Sequence, residues 1–155
     1  MKKMNIENKI WKFIDKHLYI ICLLLITILS LIIRYLLLKC SSGDYDMFLK
    51  PWFLELKEYG GLLALSKNIG NYTPIYMTIL ALLTYFPVDS LISIKLVSIL
   101  FDYIGACYLI KIVMELFKNN KNNKKISLII YSLYLLLPTV FLNSACWSQS
   151  DGIYT

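Results

Sequence analysis

The sequence has few of the side chains that most metal sites and redox motifs require. His17 is the only histidine, and it follows a basic N-terminal run, so solvation at an interface explains it better than metal binding. The four cysteines contain no Cys-x-x-Cys spacing, which excludes that kind of zinc or redox motif. Cys22 and Cys107 lie in apolar blocks and are expected to pack as small core residues.

Charged residues are also scarce, at 17% of the chain against 58% hydrophobic residues, which is outside the usual balance of a soluble domain. The apolar residues come in long blocks and not along one face of each element, which predicts an integral membrane protein. The net charge of +6 comes from basic runs at 1–17 and 118–125, which flank apolar blocks. Such runs orient a protein in a membrane, so no nucleic-acid partner is expected.

Four apolar blocks cover residues 18–38, 74–86, 91–116 and 126–142. No small-x-small cleavage site follows the first block, which predicts a retained span and not a cleaved signal peptide. If all four blocks crossed the membrane, the basic run at 118–125 would lie outside, against the preference of such runs for the cytoplasm. The 74–86 block is shorter than the ~20 residues that a crossing needs, so an interfacial or re-entrant helix is predicted there.

The predicted fold is therefore an all-α, multi-pass protein of the cell membrane, with about three transmembrane helices and a cytoplasmic N-terminus. Its order is a basic cytoplasmic start at 1–17, a span at 18–38, an extracytoplasmic loop with surface helices at 39–90, a span at 91–116, a basic cytoplasmic loop at 117–125, a span at 126–142 and an extracytoplasmic segment at 143–155. Cys40 and Cys146 then lie near the same face, where they could form a disulfide.

The first extracytoplasmic loop is predicted to contain a helix. Its apolar residues at 48, 49, 52, 53, 56 and 59 have helical spacing, and Gly60-Gly61 is expected to end the helix. The pattern predicts an amphipathic helix that lies on the membrane surface.

Two carboxylates, Asp44 and Asp46, follow the first span in "SSGDYDMFLKPW". One interpretation is a helix cap, because Ser or Asp at this place accepts backbone hydrogen bonds. The other is a general base or ligand held at the membrane face. The spacing alone does not decide between them.

Three further charged residues lie in the apolar blocks. Arg34, near the end of the first span, can snorkel to the outer interface or bind the phosphate of a lipid-linked ligand in bidentate fashion. Asp102 falls in the middle of a span, where a charge is costly, so it should face the bundle and find a partner. Lys95 lies on the same helix face, and a structural pair between helices or a neutral Asp102 is favoured over direct chemistry.

The segment "WSQSDGIYT" contains a polar cluster after the last apolar block. Trp147 and Tyr154 fit an aromatic belt at the membrane interface. Gln149 and Asp151 are not needed for a belt. An aromatic face, an amide and a carboxylate together suit the recognition of a sugar.

Four stretches in this order resemble the N-terminal part of bacterial GT-C-fold membrane glycosyltransferases, most like the GPI-anchor mannosyltransferases. They are "SGDYDMFLKPWFLELKEYGGLLAL", "NYTPIY", "IKLVSILFDYIGACYLIKIV" and "LLLPTVFLNSACWSQSDGIYT", within residues 30–155. The resembled motifs usually have Gly where this chain has Ser148, and often a second Pro where it has Thr73.

The resemblance implies transfer of a sugar from a polyprenyl-phosphate-linked donor to a glycan, lipid or protein acceptor on the extracytoplasmic side. It implies Asp44 as the catalytic base, with Asp46 as second choice. Trp147, Gln149 and Asp151 match the family's W-x-Q-x-D element and are expected to bind substrate, and Arg34 could contact the donor phosphate. No cofactor is expected, although a divalent metal ion stays open.

The resemblance also implies more spans than this sequence contains. The chain is therefore expected to be the N-terminal fragment of a larger bundle, and inactive alone. Two alternatives remain: a non-catalytic small membrane protein or remnant that acts through helix–helix contacts, and a transporter with Asp102 and Lys95 in its pathway. The small number of spans and the lack of a broken-helix repeat disfavour the transporter.

Overall fold

The computed structural model describes residues 6–149 and 151–154, and the side chains within them except those of 6–12, 15 and 154. Every regular element in these ranges is helical, which confirms the all-α prediction. The helices are α1 (Ile6–Leu37), α2 (Lys50–Glu58), α3 (Pro74–Leu83), α4 (Ser90–Leu116), α5 (Asn123–Leu136), α6 (Pro138–Ala145) and α7 (Asp151–Tyr154). A π-helical turn at Tyr45–Leu49 leads into α2, and a 3₁₀ helix at Gly61–Ser66 follows it.

Two helices are long and apolar enough to cross a membrane, namely α1 over Lys16–Leu37 and α4 over Ser90–Leu116. This composition agrees with a membrane location. The predicted span at 126–142 is instead divided into α5 and α6, which meet at a bend of 47°. Pro138 explains the break, because it has no N–H and favours the extended conformation of Leu137, whose ψ is 124°.

Hydrogen bonds between polar side chains show the direction of α5 relative to α1. The hydroxyls of Tyr19 and Ser127 lie 3.1 Å apart, and those of Thr27 and Tyr131 lie 2.7 Å apart. The two contacts follow the same order in both helices, so α1 and α5 run in the same direction. Helix α4 packs against α5 and α6. It runs opposite to α1, because Lys95 near its start binds the carbonyl of Leu37 and the later Tyr103 binds Ser30.

The helix ends therefore gather in two places. We call one the loop end, which holds residues 38–49, 89–95 and 143–149. We call the other the basic end, which holds residues 117–125. Since Tyr19 contacts Ser127, the start of the apolar stretch of α1 also lies at the basic end.

The loop between α1 and α4 forms a packed layer at the loop end. Helix α2 ends where the sequence predicted, and Gly60 there has the left-handed φ of 85° that favours glycine. The apolar stripe of α2 buries Phe53 and Leu56 in a core shared with α3 and the start of α4. Leu49, Phe53 and Leu56 are thus covered by protein, where the sequence had predicted contact with the membrane surface, because the short apolar α3 supplies a partner. Phe48 and Tyr59 of the predicted stripe remain exposed.

Candidate active site

Two segments that are far apart in the sequence meet at the loop end. Gln149 Nε2 donates a hydrogen bond of 2.7 Å to Asp44 Oδ2. Ser42 Oγ donates one of 2.8 Å to the carbonyl oxygen of Trp147. The sequence predicted that these segments share a face, and the structure places them in direct contact. We call Asp44, Trp147, Gln149 and Asp151 the candidate active site.

The helical turn after Asp44 is capped by a different residue. Ser42 Oγ accepts a hydrogen bond of 3.2 Å from the backbone N–H of Tyr45, whereas Asp44 makes no side-chain capping bond. The capping interpretation therefore holds for Ser42 and is wrong for Asp44. The carboxylate of Asp44 is exposed and is oriented by Gln149.

Asp46 has a separate environment. It is exposed and accepts a hydrogen bond of 2.7 Å from Ser41 Oγ. Tyr45, between the two carboxylates, is buried, and its hydroxyl lies 2.6 Å from Ser90 Oγ at the start of α4. Burial raises the pKa of Tyr45, with a smaller opposing effect from Ser90, so the ring anchors the turn as a neutral group. This anchor leaves Asp44 and Asp46 on an exposed turn with different partners.

The segment from Trp147 to Asp151 has one unusual backbone position. Ser148 has a φ of 59°, in the left-handed region, and its hydroxyl is buried without a hydrogen-bond partner among the described residues. Trp147 is exposed. Asp151 begins α7 and accepts a hydrogen bond of 2.8 Å from Asn143 Nδ2. The side chain of Tyr154, predicted to belong to an aromatic belt, lies outside the described residues.

A small cavity of about 140 Å³ connects the candidate active site to the interior of the bundle. Gln149 and Asp151 line it at one side, and Asp102 of α4 lines it at another. Gly152 lies so close to Asp102 that a Cβ atom at this position would stand 3.0 Å from Asp102 Oδ1. The sequence predicted no relation between Asp102 and the terminal motif, and the structure makes them neighbours.

Asp102 has a buried cationic partner, which is Arg34 and not Lys95. Arg34 Nη2 lies 2.9 Å from Asp102 Oδ2, and the two side chains are 1% and 5% exposed. The prediction that Arg34 snorkels to the interface is therefore wrong. Its guanidinium faces inward and binds the buried carboxylate, which would otherwise lack a partner inside the bundle.

The bent pair α5–α6 supplies a further partner for Arg34. Arg34 Nη1 donates a hydrogen bond of 3.0 Å to the carbonyl oxygen of Leu135 and another to Ser30 Oγ. In an unbroken helix the Leu135 carbonyl would accept from the N–H of Thr139. The break before Pro138 frees that carbonyl, and Arg34 binds it, so the ion pair and the bend stabilise each other.

Lys95 satisfies the end of α1. It is fully buried and donates hydrogen bonds to the carbonyl oxygens of Leu37, Leu38 and Cys40. A cation suits the negative end of the helix dipole. The thiols of Cys40 and Cys146 are in contact beside it as free cysteines. The structure thus brings together the pair that the sequence predicted could form a disulfide.

A second cleft, of about 330 Å³, opens on the other side of Asp44. Its lining combines Asp44 with Phe48, Trp52, Asn71 and Tyr72. Trp52 was predicted only as part of an apolar stripe, and Asn71-Tyr72 only as part of the stretch "NYTPIY". Asn143, which donates a hydrogen bond to Asp151, was not predicted as a site residue, because a single amide at the end of an apolar block has no distinctive spacing.

No group of three or more His, Cys, Asp or Glu side chains in residues 6–149 and 151–154 is arranged to hold a metal ion. The expectations about cofactors remain predictions. No protein-family model matches the sequence, and comparisons with curated proteins and with solved structures found no match.

Proposed function

We propose that the protein is a membrane glycosyltransferase of the GT-C kind, or part of one, that transfers a sugar from a polyprenyl-phosphate-linked donor to an acceptor at the loop end. One observation carries the proposal. The hydrogen bond between Gln149 and Asp44 joins the first and the last of the four stretches that carry the resemblance, although 105 residues separate the two side chains. A chance likeness in each motif would not require them to meet.

The proposed roles follow from the exposed groups at this site. Asp44 accepts the proton of the acceptor hydroxyl while that oxygen attacks the anomeric carbon of the donor sugar. Gln149 orients Asp44 through its amide, and Trp147 and Asp151 bind the sugar. Asp46 is the weaker candidate base, because its hydrogen-bond partner Ser41 belongs to the same loop, whereas the partner of Asp44 belongs to the terminal motif.

The donor phosphate needs positive charge as it departs. Arg34 is committed to Asp102 and to the Leu135 carbonyl, so a contact between Arg34 and the phosphate would require that pair to open. The phosphate contact of Arg34 therefore remains a prediction. While this ion pair is intact, Arg34 holds Asp102 beside the cavity that Gln149 and Asp151 also line.

The proposed topology has three crossings, with α5 and α6 together forming the third. The contact of Tyr19 with Ser127 supports it, because both basic runs then lie at one end of the bundle. The contact of Ser42 with Trp147 supports it at the other end. Placing the basic end in the cytoplasm follows the usual distribution of Lys and Arg.

The deciding experiment compares Asp44→Asn with Asp46→Asn in the full gene product. Transfer from a polyprenyl-phosphate sugar pool to membrane acceptors should fall by at least about 10²-fold for Asp44→Asn, the range expected when a general base is lost. The neighbouring control, Asp46→Asn, should retain most of the activity. Unchanged transfer by a folded Asp44→Asn protein would remove Asp44 as the base and overturn the proposed mechanism.

A non-catalytic role through helix–helix contacts is the second candidate. The observation in its favour is α1, whose most apolar stretch has only 11% of its residues buried, against 28% for α4. A lipid bilayer also accepts such a surface without a protein partner. If neither Asp44→Asn nor Asp46→Asn changes any transfer activity, and Leu24→Gln on α1 releases a co-purifying membrane protein, this second candidate replaces the first.

A further inference from the structure

The cleft beside Asp44 has the chemistry of a carbohydrate-binding subsite. Its volume of about 330 Å³ lies at the lower end of the ~300–1,000 Å³ typical of small-molecule sites. A carboxylate, a carboxamide and three aromatic rings line it. Sugars present hydroxyl groups that such polar groups bind and apolar C–H faces that aromatic rings cover.

The aromatic rings are held in place before any ligand arrives. Trp52 lies between Phe48 and Tyr72, with ring centroids 5.8 Å and 5.4 Å away, and the second pair is edge to face. Gly70 allows the indole to approach the backbone, since a Cβ atom there would stand 3.1 Å from Trp52 Cδ2. Because the indole is already held against the backbone, little side-chain entropy is lost when a ligand packs on it.

The polar groups stand on the chain around these rings. Asn71 is exposed beside Tyr72, and the carboxylate of Asp44 reaches the cleft while Gln149 binds its Oδ2 atom. Asp44 is therefore shared between this cleft and the W-x-Q-x-D segment. A hydroxyl group of a sugar in the cleft would lie next to the carboxylate that the proposed function assigns as the base.

The lining also argues against other ligand classes. It contains a carboxylate and no Lys or Arg, which disfavours phosphate and other anions. Its carboxylate and amide disfavour a lipid chain. A quaternary ammonium ion is the remaining competitor, because aromatic rings with a carboxylate can hold such a cation.

We propose that Asp44, Trp52, Asn71 and Tyr72 form the subsite that binds a neutral saccharide acceptor. The lining of the cleft alone supports the binding of a sugar. That this sugar is the acceptor rests on the proposed function. Trp52 stacks on the apolar face of the sugar ring, and Asn71 and Asp44 bind its hydroxyl groups.

The test is saturation-transfer NMR on the full gene product in lipid nanodiscs. The probes are the methyl glycosides of mannose, glucose and galactose, with choline chloride and inorganic phosphate for comparison. At least one of the three glycosides should bind, and an excess of the same free sugar should displace it. Binding of choline or phosphate without any glycoside would overturn the proposal.

Two kinds of variant locate the binding. Trp52→Ala and Asn71→Ala should each weaken glycoside binding about tenfold or more, and Trp52→Phe, which keeps a ring against Gly70, should weaken it less. Phe86→Ala is the control, because Phe86 is an exposed ring outside the lining of the cleft. Equal glycoside affinity in wild type, Trp52→Phe and Asn71→Ala would place the sugar elsewhere and refute the subsite.

The outcomes for the two proposals are separable. If Asp44→Asn abolishes transfer while Trp52→Phe and Asn71→Ala leave the acceptor KM unchanged, the proposed function stands and the subsite is wrong. If glycosides bind in the cleft while Asp44→Asn retains transfer, the subsite stands as a binding site and the catalytic role of Asp44 is wrong.

Discussion

At the scale of single residues, Ser148 carries a cost that glycine would remove. A left-handed backbone costs a residue with a Cβ atom about 1–2 kcal/mol, and Ser148 has a φ of 59°. Its buried hydroxyl also lacks a partner among the described residues, which adds to the cost. We expect Ser148→Gly to raise the free energy of unfolding by about 1–2 kcal/mol, measured by denaturant titration in detergent.

The control for this prediction is Ser132→Gly, in the interior of α5. Ser132 has helical geometry, and its hydroxyl bonds to the Ile129 carbonyl. Glycine there should lower the free energy of unfolding by several tenths of a kcal/mol or more, because it gains freedom in the unfolded chain. Destabilisation by both substitutions would show that the left-handed geometry at Ser148 carries no strain.

The contact between Cys40 and Cys146 predicts a selective crosslink. Burial and the neighbouring Cys40 thiol raise the pKa of Cys146, partly opposed by Lys95. Because the thiolate is the attacking species, crosslinking should be slow at neutral pH and faster at alkaline pH. Diamide takes up the two protons and two electrons that the thiols lose, and peptide mapping without reductant should find the 40–146 link.

The same oxidation provides its own comparison within the chain. Cys22 and Cys107 are also free thiols, and Cys107 is exposed. Neither should join Cys40 or Cys146 in the mapped peptides, and Cys40→Ser should abolish the link. A mixture of all pairings would mean that the thiols at the loop end are not held in contact.

At the scale of elements, the ion pair of Arg34 and Asp102 joins α1 to α4. Arg34→Met leaves a buried carboxylate without its cation, which should lower the free energy of unfolding by about 3–5 kcal/mol. Adding Asp102→Leu should recover most of that loss, because the double variant buries no charge. Chemical denaturation of the single and double variants in detergent measures the coupling.

A second ion pair is the matched control, with a similar distance and the opposite burial. Lys118 and Glu115 lie 2.8 Å apart at the basic end, with side chains 64% and 74% exposed. Lys118→Met should change stability by no more than about 1 kcal/mol, as solvated pairs do. Equal effects of Arg34→Met and Lys118→Met would mean that the interior pair is solvated.

The sequence predicts elements more reliably than it predicts partners. The apolar blocks predicted α4 and the apolar part of α1, Lys16–Leu37, at nearly their correct bounds, because a membrane requires long apolar helices whatever they pack against. They did not predict that α1 begins at Ile6, within the basic N-terminal run. The block at 126–142 looked like one helix because hydropathy averages across Pro138. Asp102 was recognised as costly and in need of a partner, whereas Arg34 was expected at the interface or on a phosphate. The period of a helix does not tell which residue of another helix will face it.

The candidate site shows the same limit. The sequence predicted that Asp44 and Gln149 share a face, since counting crossings needs only hydropathy and charge. Their hydrogen bond depends on the turn at Ser42, the left-handed Ser148 and the packing of α6 against α1 and α4. The first two features lie in loops, where spacing carries little information, and the period of α6 does not tell which helices it will pack against.

At the scale of the whole molecule, the two ends of the bundle should face opposite sides of the membrane. A chain with its native cysteines replaced by serine would carry one new cysteine, either Asp46→Cys at the loop end or Lys121→Cys at the basic end. Both native side chains are exposed, so a membrane-impermeant maleimide can reach them. In intact cells the reagent should label Asp46→Cys, and it should label Lys121→Cys only after permeabilisation.

Each outcome bears on the proposed chemistry. Labelling at 46 alone places Asp44, Gln149 and the aromatic cleft where lipid-linked donors are used, as the proposal requires. Labelling at 121 alone turns the bundle over and puts the same carboxylate in the cytoplasm, so the polyprenyl-phosphate donor would have to be abandoned. Labelling at both positions would mean that α4 is not the one crossing between residues 46 and 121, because the loop end and the basic end would then share one side.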